Sequence, residues 1–405
     1  MYNTLILNVD ELWLKGKNRP MYFKSLKKHL SEFFKLHHEG HTVTVKNENQ
    51  RYVAKCEVPF SEELMEAAQK IPGLNSVLPA RDLQDVDKDA MIAAVLDELE
   101  TRHEIKQGTT FKVQCKRVWK GFPHNSMDLN REVAGNVLKK YDQVIKVDVH
   151  NPEILIDVKI MASNIYISTR KLKCLGGLPV GTSGHAITMI SGGFDSPVAS
   201  VMMAKRGTRQ TFIFFYAYPF VGEEVKDKIV EMCAQLGKFQ KYSKLHVVPF
   251  GDIQNIISKN CHEEYRTLLF RKYMVDTANL LADRVHANAI VTGDALGQVS
   301  SQTMLNMAAV DKTSRRIILR PLVGQNKFEI INSARDFGTH DISIIPHDDA
   351  CSLFAPKSPV ITPDMDYWNK YVSENDLTEE LNKALDNAEV FGISLKGDVK
   401  EQVMK

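Results

Sequence analysis

The chain has 405 residues, of which 43% are hydrophobic and 25% charged, with a formal net charge of +2. That is too long for one ordinary core and suits two or three globular domains. No apolar run reaches the roughly 20 residues needed to cross a bilayer, so a helical membrane protein is excluded.

Residues 4–9 read as a strand, and residues 21–36 place Phe23, Leu26, Leu30, Phe33 and Phe34 at helical spacing. Two short strand-like stretches follow in 41–57, and this β-α-β-β order fits a small ferredoxin-like unit. Residues 61–71 and 88–103 read as helices, 109–117 as an alternating strand and 127–140 as a helix; strands follow near 145–149, 153–159 and 164–170. Residues 171–184 hold four glycines and a proline and read as a linker or a structured crossover. Apolar strands then lie at 186–190, 210–216, 244–249 and 288–292, with helical segments between them, the pattern of a parallel sheet covered on both faces. Residues 364–405 read as an acidic helical tail.

Charge is spread unevenly along this order. Residues 1–60 carry ten Lys/Arg against six Asp/Glu, and residues 101–180 fourteen against seven. Residues 361–405 reverse the balance, with five against ten. Basic segments attract polyanions by releasing counterions from phosphates, although a solvated basic face would look the same. The six cysteines stand singly with no CxxC pair, so neither a disulfide framework nor a zinc site is expected. The first residues (Met1, Tyr2, Asn3, Thr4) lack the basic-then-apolar layout of a signal peptide, and a cytoplasmic location is expected.

The strand 186–190 runs directly into Ser191, Gly192, Gly193, Phe194, Asp195 and Ser196, and Pro197 opens the next helix. The two glycines allow backbone N–H groups to approach a phosphate, the serines add hydroxyls, and the helix start adds partial positive charge. Asp195 is out of place in an anion site unless it holds Mg²⁺ or a lysine against a triphosphate. The loop has neither the GxxxxGKS order of a Walker site nor the GxGxxG of a dinucleotide fold, which disfavours a kinase or a dehydrogenase. It resembles the SGGxDS signature of the PP-loop ATP pyrophosphatases.

Further stretches match one family within that class. They are Glu11, Leu12, Trp13, Leu14, Lys15, Gly16, Lys17, Asn18 and Arg19; residues 116–126; residues 147–152; residues 176–182; residues 297–303; and Arg320, Pro321 and Leu322. In order, and over nearly the whole chain, they resemble the tRNA uridine 4-sulfurtransferases, also called tRNA 4-thiouridine synthases, in the short form without a rhodanese domain. The resemblance implies an α/β architecture: a ferredoxin-like domain over 1–60, an RNA-binding THUMP domain over 61–170, a linker over 171–184 and a doubly wound, parallel-sheet ATPase domain over 185–405.

The resemblance also implies roles. Asp195, Lys327 and Cys351 would be catalytic. Met189, Ile190, Ser191, Gly192, Gly193, Asp195, Ser196, Phe214, Phe215, Arg271, Gly293 and Gln302 would bind ATP, used with Mg²⁺. Taken singly, Phe214 and Phe215 read first as ordinary core residues of a buried strand. Lys116, Arg117, Lys120, Arg131, Lys139 and Lys140 would contact tRNA. Three positions depart from the family: Asn326 stands where Asp precedes the lysine, Phe214 where histidine is common, and Ala350 in place of the first of two adjacent cysteines. Cys351 follows a stretch, 342–345, that reads as a strand.

The expected reaction is ATP-dependent conversion of the uridine at position 8 of tRNA to 4-thiouridine, by adenylation of O4 and sulfur transfer involving Cys351. Sulfur would come from a cysteine desulfurase or another persulfide donor, and the family suggests a homodimer. No cysteine lies in 266–271, so no iron–sulfur cluster is expected. Relatives also supply sulfur for the thiazole ring of thiamine. Two rival readings, a small-molecule PP-loop ligase or amidotransferase and a non-catalytic tRNA-binding protein, leave respectively the basic N-terminal half or the Asp195–Lys327–Cys351 set unused.

Overall fold

The computed structural model describes residues 2–346 and 356–402. The chain divides into two compact units, Met1–Gly176 and Gly177–Lys405.

The first unit holds β1 (Tyr2–Val9), α1 (Arg19–His37), β2 (Thr44–Glu48), β3 (Arg51–Phe60), α2 (Glu62–Ala68) and β4 (Leu74–Leu83). It continues with α3 (Lys88–Arg102), β5 (Thr110–Arg117), α4 (Ser126–Lys140), β6 (Lys146–Val147), β7 (Ile154–Ile160), β8 (Ile165–Ser168) and β9 (Leu172–Lys173). The strands form one sheet in the order β2-β3-β1-β4-β8-β7-β5-β6, with β9 on the flank of β4.

β4, which the sequence did not reveal, joins the two halves of this sheet: it pairs with β1 through most of its length and with β8 at Arg81, Asp82 and Leu83. Pro79 within the run argues against a strand on sequence grounds. It is tolerated because it falls between the β9 pairs at Ser76 and Val77 and the β8 pairs at Arg81–Leu83. The helices bury the stripes their spacing dictates, Leu26, Leu30, Phe33 and Phe34 on α1 and Leu129, Val133 and Val137 on α4. Asn125 caps α4 by accepting from the Asp128 N–H at 3.0 Å.

The second unit begins with β10 (His185–Met189), α5 (Asp195–Lys205), β11 (Arg209–Tyr216), α6 (Glu223–Gly237), β12 (Ser243–Pro249), α7 (Gly251–Asn260) and α8 (Arg266–Val285). Then come β13 (Ala289–Val291), α9 (Met304–Thr313), β14 (Ile317–Leu319), α10 (Lys327–Asp336), α11 (His340–Ser343), α12 (Met365–Glu374), α13 (Thr378–Asp386), β15 (Glu389–Ile393) and β16 (Val399–Gln402). The sheet order is β14-β13-β10-β11-β12-β15-β16, parallel from β14 to β12. The chain works outward from β10 in one direction and then returns to build the other side. This is the doubly wound arrangement, and it opens a crevice beyond the carboxyl ends of β10, β11 and β13. The core packs Ile187, Ile213, Val248, Phe270 and Tyr273 against Trp368 of α12.

Two expectations fail here. The tail is helical only as far as Asp386; Glu389–Ile393 then adds antiparallel to β12, and Val399–Gln402 pairs with it in turn. The acidic composition suggested helix, but edge pairing decides the conformation. Residues 342–345 are not a strand. His340–Ser343 forms a short helix whose terminal carbonyls accept from the buried Lys228 ammonium, Ser343 O at 3.0 Å and Ile345 O at 2.7 Å. This tertiary cap outweighs the β preference of the isoleucines. Residues 171–184 are structured: Leu172 and Lys173 pair with β4 in the first unit, and in the second the Leu178 N–H donates to Lys205 O at 2.9 Å.

Candidate functional site

β10 delivers the loop 190–194 to the crevice, and α5 starts at Asp195 immediately after it. The loop is tied to its helix: the Ser191 N–H donates to Ser196 Oγ at 2.8 Å, and the two hydroxyls lie 3.2 Å apart. Gly193 O accepts from the Ser343 hydroxyl at 3.3 Å, so α11 braces the turn. Gly293, just beyond β13, is a packing requirement, because a Cβ there would lie 2.5 Å from Ser196 N.

A cavity of about 450 Å³ opens over this loop. Its lining includes Met189, Ile190, Ser191, Asp195, Ser196, Phe214, Phe215, Arg271, Gly293 and Gln302. Of the expected nucleotide residues only Gly192 and Gly193 are absent from it; they shape the turn behind. Phe214 and Phe215 are both buried and both reach the cavity, and Phe215 packs edge-on against Phe250 at 4.9 Å between ring centroids. The two readings of these residues are therefore compatible.

Asp195 and Lys327 meet: Nζ lies 2.8 Å from Oδ1 across 132 residues of sequence, and it also stands 5.4 Å over the Phe194 ring. α10 places Lys327 at its first turn, where Asn326 and Glu329 form a reciprocal capping box. Asn326 thus has a structural role of its own.

Sequence reasoning missed a buried ion-pair hub behind the loop. Asp294 is paired with Arg271 and, at 3.1 Å, with Arg320, and it also accepts from the Thr292 hydroxyl at 2.8 Å. Burial alone would raise its pKa; the guanidinium of Arg271, helped by Thr292 and Arg320, overcomes this and holds the carboxyl below the usual range. Arg320 in turn holds Asp311 at 2.6 Å and 3.0 Å. Gln298 was missed as well: its amide donates to Asp195 Oδ2 at 2.9 Å. No local signal reveals either feature, since the partners come from distant segments.

Cys351 lies outside the described residues. Of the other cysteines, Cys115 and Cys174 are buried, with thiols pushed up to about 12 by desolvation; Cys261 is raised to about 11, and the fully enclosed Cys233 is also raised. All four are held as thiols rather than reactive thiolates. Among the described residues no group of three or more His, Cys, Asp or Glu side chains is placed to hold a metal ion, and no helix is long and apolar enough to cross a membrane.

The six basic residues expected to contact RNA belong to the first unit. Lys116, Lys120, Arg131 and Lys139 are exposed. Arg117 is partly spent on the Phe122 carbonyl at 2.8 Å, and Lys140 on Glu100. Trp119, in the same loop as Lys120, is 41% exposed and was not anticipated.

Known proteins resemble this chain along its length. Residues 4–77 match the ThiI ferredoxin-like domain, residues 86–170 the THUMP domain, and residues 181–377 the family described as thiamine biosynthesis protein (ThiI). A probable tRNA sulfurtransferase of Staphylococcus epidermidis is 35% identical over 97% of this chain and 95% of its own length. One from a Thermoanaerobacter species is 36% identical over 96% and 98% respectively. Among solved structures, a 4-thiouridine synthetase–RNA complex with bound ATP covers 97% of this chain and 100% of its own, with a TM-score of 0.84 and 29% identity. A Pyrococcus horikoshii protein shares the fold at a TM-score of 0.63 and 18% identity, over 83% of this chain and 99% of its own.

Proposed function

The chain belongs to the tRNA sulfurtransferase family, and from that premise we propose how its residues divide the work of thiolating uridine 8. The protein is an enzyme that binds ATP and thiolates tRNA. The observation that carries the reading is the meeting of Asp195 and Lys327 at 2.8 Å beside a cavity floored by the 191–196 loop.

The cavity suits a nucleoside triphosphate. Met189, Ile190, Phe214, Phe215 and Met274 offer apolar walls for a base, and Gln302 Oε1 is buried there with no hydrogen-bond partner, an acceptor suited to an exocyclic amine. The phosphates would meet Ser191, Ser196 and the start of α5. Of the two cavity carboxylates, Asp294 is committed to two arginines and Asp195 to Lys327 and Gln298, so Mg²⁺ would arrive with the triphosphate and take its oxygen ligands from the phosphates and water. Bound there with the triphosphate, the ion would neutralise charge on the departing pyrophosphate.

The uridine O4 attacks the α-phosphorus, the bond to the β-phosphate bridging oxygen breaks, and pyrophosphate leaves. Lys327 and the loop's N–H groups stabilise the charge that develops. AMP then serves as the leaving group at C4: a persulfide on Cys351 attacks through its terminal sulfur, AMP departs, and a thiol of the sulfur donor cleaves the resulting S–S bond to leave 4-thiouridine, whereas free sulfide delivered beside Cys351 displaces AMP directly. The raised thiols of Cys115, Cys174, Cys233 and Cys261 make them poor sulfur carriers; of the remaining two cysteines, Cys56 stands on β3 of the first unit and Cys351 is the one the family likeness assigns to sulfur transfer. Lys116, Lys120, Arg131 and Lys139 would track the tRNA backbone, helped by Arg117 and Lys140. A separate persulfide donor, a homodimer and a cytoplasmic setting complete the reading. Cys351→Ala should abolish thiolation by a protein persulfide donor while sparing tRNA-dependent pyrophosphate release. Full thiolation by that variant would refute the assignment.

A further inference from the structure

Asp195 is held by both of its oxygens. Lys327 Nζ lies 2.8 Å from Oδ1, and Gln298 Nε2 donates to Oδ2 at 2.9 Å. Gln298 stands on a loop closed upon itself: the Gly297 N–H donates to Gln302 O at 2.8 Å, the Gln302 N–H to Val299 O at 2.9 Å, and the Asn306 amide to Ser300 O at 2.8 Å. Gly297 makes the turn at φ +72°, a conformation that favours glycine. Immediately before this loop stands Asp294, anchored by Arg271 and Arg320. Gln298 therefore carries the rigidity of a buried ion-pair network to a carboxylate at the cavity rim.

We propose that Gln298 is a positioning residue for the adenylation step: its amide fixes the plane of the Asp195 carboxylate so that Oδ1 holds Lys327 where charge develops. The claim rests on the ATP-dependent reading of this site and goes beyond it. With the amide gone, Asp195 can rotate about its side-chain bonds and Lys327, 42% exposed, loses its fixed partner. Ground-state binding of the nucleotide depends on the other cavity walls and is little affected. The loss falls on the step in which the ammonium must be in place before charge appears.

The isosteric Gln298→Glu change gives a signature that packing alone would not. At neutral pH it sets a second carboxylate against Asp195, competing for Lys327. The charged groups around it are Asp195 on α5 and Lys327 on α10, with the Asp294–Arg271–Arg320 hub at the other end of its loop. Two carboxylates sharing one site raise the pKa of one of them. Once protonated, the new carboxyl can donate to Asp195 Oδ2 as the amide did. The variant should regain activity relative to Gln298→Ala as the pH falls.

The test is tRNA-dependent pyrophosphate release by the full chain across ATP concentrations and from about pH 8 down to about pH 5.5, a range spanning a carboxyl raised by a like neighbour. For Gln298→Ala, kcat should fall about 10- to 100-fold, the range of a lost orienting contact, with KM for ATP within about threefold. Gln298→Glu should lie below Gln298→Ala at the upper pH and above it at the lower. An unchanged kcat, a raised KM with kcat intact, or a Glu variant that parallels the Ala variant at every pH would overturn the proposal. A wild-type chain that releases no pyrophosphate would instead sink the underlying reading. In that event thermal unfolding decides the contact itself: Asp195→Ala and Gln298→Ala should be non-additive, and additive shifts would refute the clamp.

Discussion

The cations around the cavity of the second unit and four exposed basic residues of the first are held in opposite ways. Around the cavity of the second unit each named cation has a carboxylate partner: Arg271 and Arg320 share Asp294, Arg320 also takes Asp311, and Lys327 takes Asp195. In the first unit Lys116, Lys120, Arg131 and Lys139 are exposed and make no ion pair among the described residues. Paired cations are held in one geometry, which suits stabilising charge that appears at one point in a reaction. Unpaired, solvated cations are mobile and suit a polyanion recognised by backbone and shape.

The comparison is broken most severely by removing a carboxylate from the paired region. Asp294→Ala leaves Arg271 partly buried without its carboxylate and Arg320 with Asp311 alone, and should cost about 3–5 kcal/mol of stability, read as a large fall in thermal midpoint. The folded-state pKa of Asp294 is depressed, so its stabilisation is present above the ordinary Asp value and is lost as pH falls through the depressed one. The gap between wild type and Asp294→Asn should therefore be full at neutral pH and should narrow only below about pH 4, the usual Asp pKa. A gap that stays constant down to pH 2 would contradict the assignment.

Lys327→Met should act differently. The side chain is 42% exposed, so the thermal midpoint should barely move, while tRNA-dependent pyrophosphate release should fall about 10²- to 10³-fold, as when an oxyanion donor is deleted. A variant that retains full rate would remove Lys327 from the chemistry. Smallest is the effect of one exposed cation. Lys116→Ala or Arg131→Ala should weaken tRNA binding several-fold and flatten the salt dependence by about one unit of slope. Lys140→Ala should do less, because Lys140 already has Glu100 as a partner. Equal effects from Lys140 and Lys116 would show that pairing is a poor guide to RNA contact.

This contrast also separates what the sequence disclosed from what it hid. The strand, the loop 191–196 and the helix beyond it were legible because glycine, proline and apolar spacing act over a few residues. Phe214, Phe215 and Arg271 were named only through family likeness, yet all three line the cavity. The Asp294 hub joins Arg271, Thr292, Asp311 and Arg320, and the Gln298–Asp195 contact spans 103 residues; neither has a local signature. β4 was concealed by Pro79, and the two C-terminal strands by an acidic, helix-like composition that edge pairing overrode. The first unit's basic residues were legible as a count, but only the structure separates the paired Lys140 from the solvated Lys116.

The central claim is that the paired site activates tRNA for sulfur. Its most direct test is mass spectrometry of nucleosides from tRNA incubated with the protein, ATP, Mg²⁺ and sulfide. The account predicts 4-thiouridine in place of uridine 8, dependent on ATP and lost in Lys327→Met. Unmodified tRNA with the wild-type chain, or thiolation that proceeds without ATP, would contradict it.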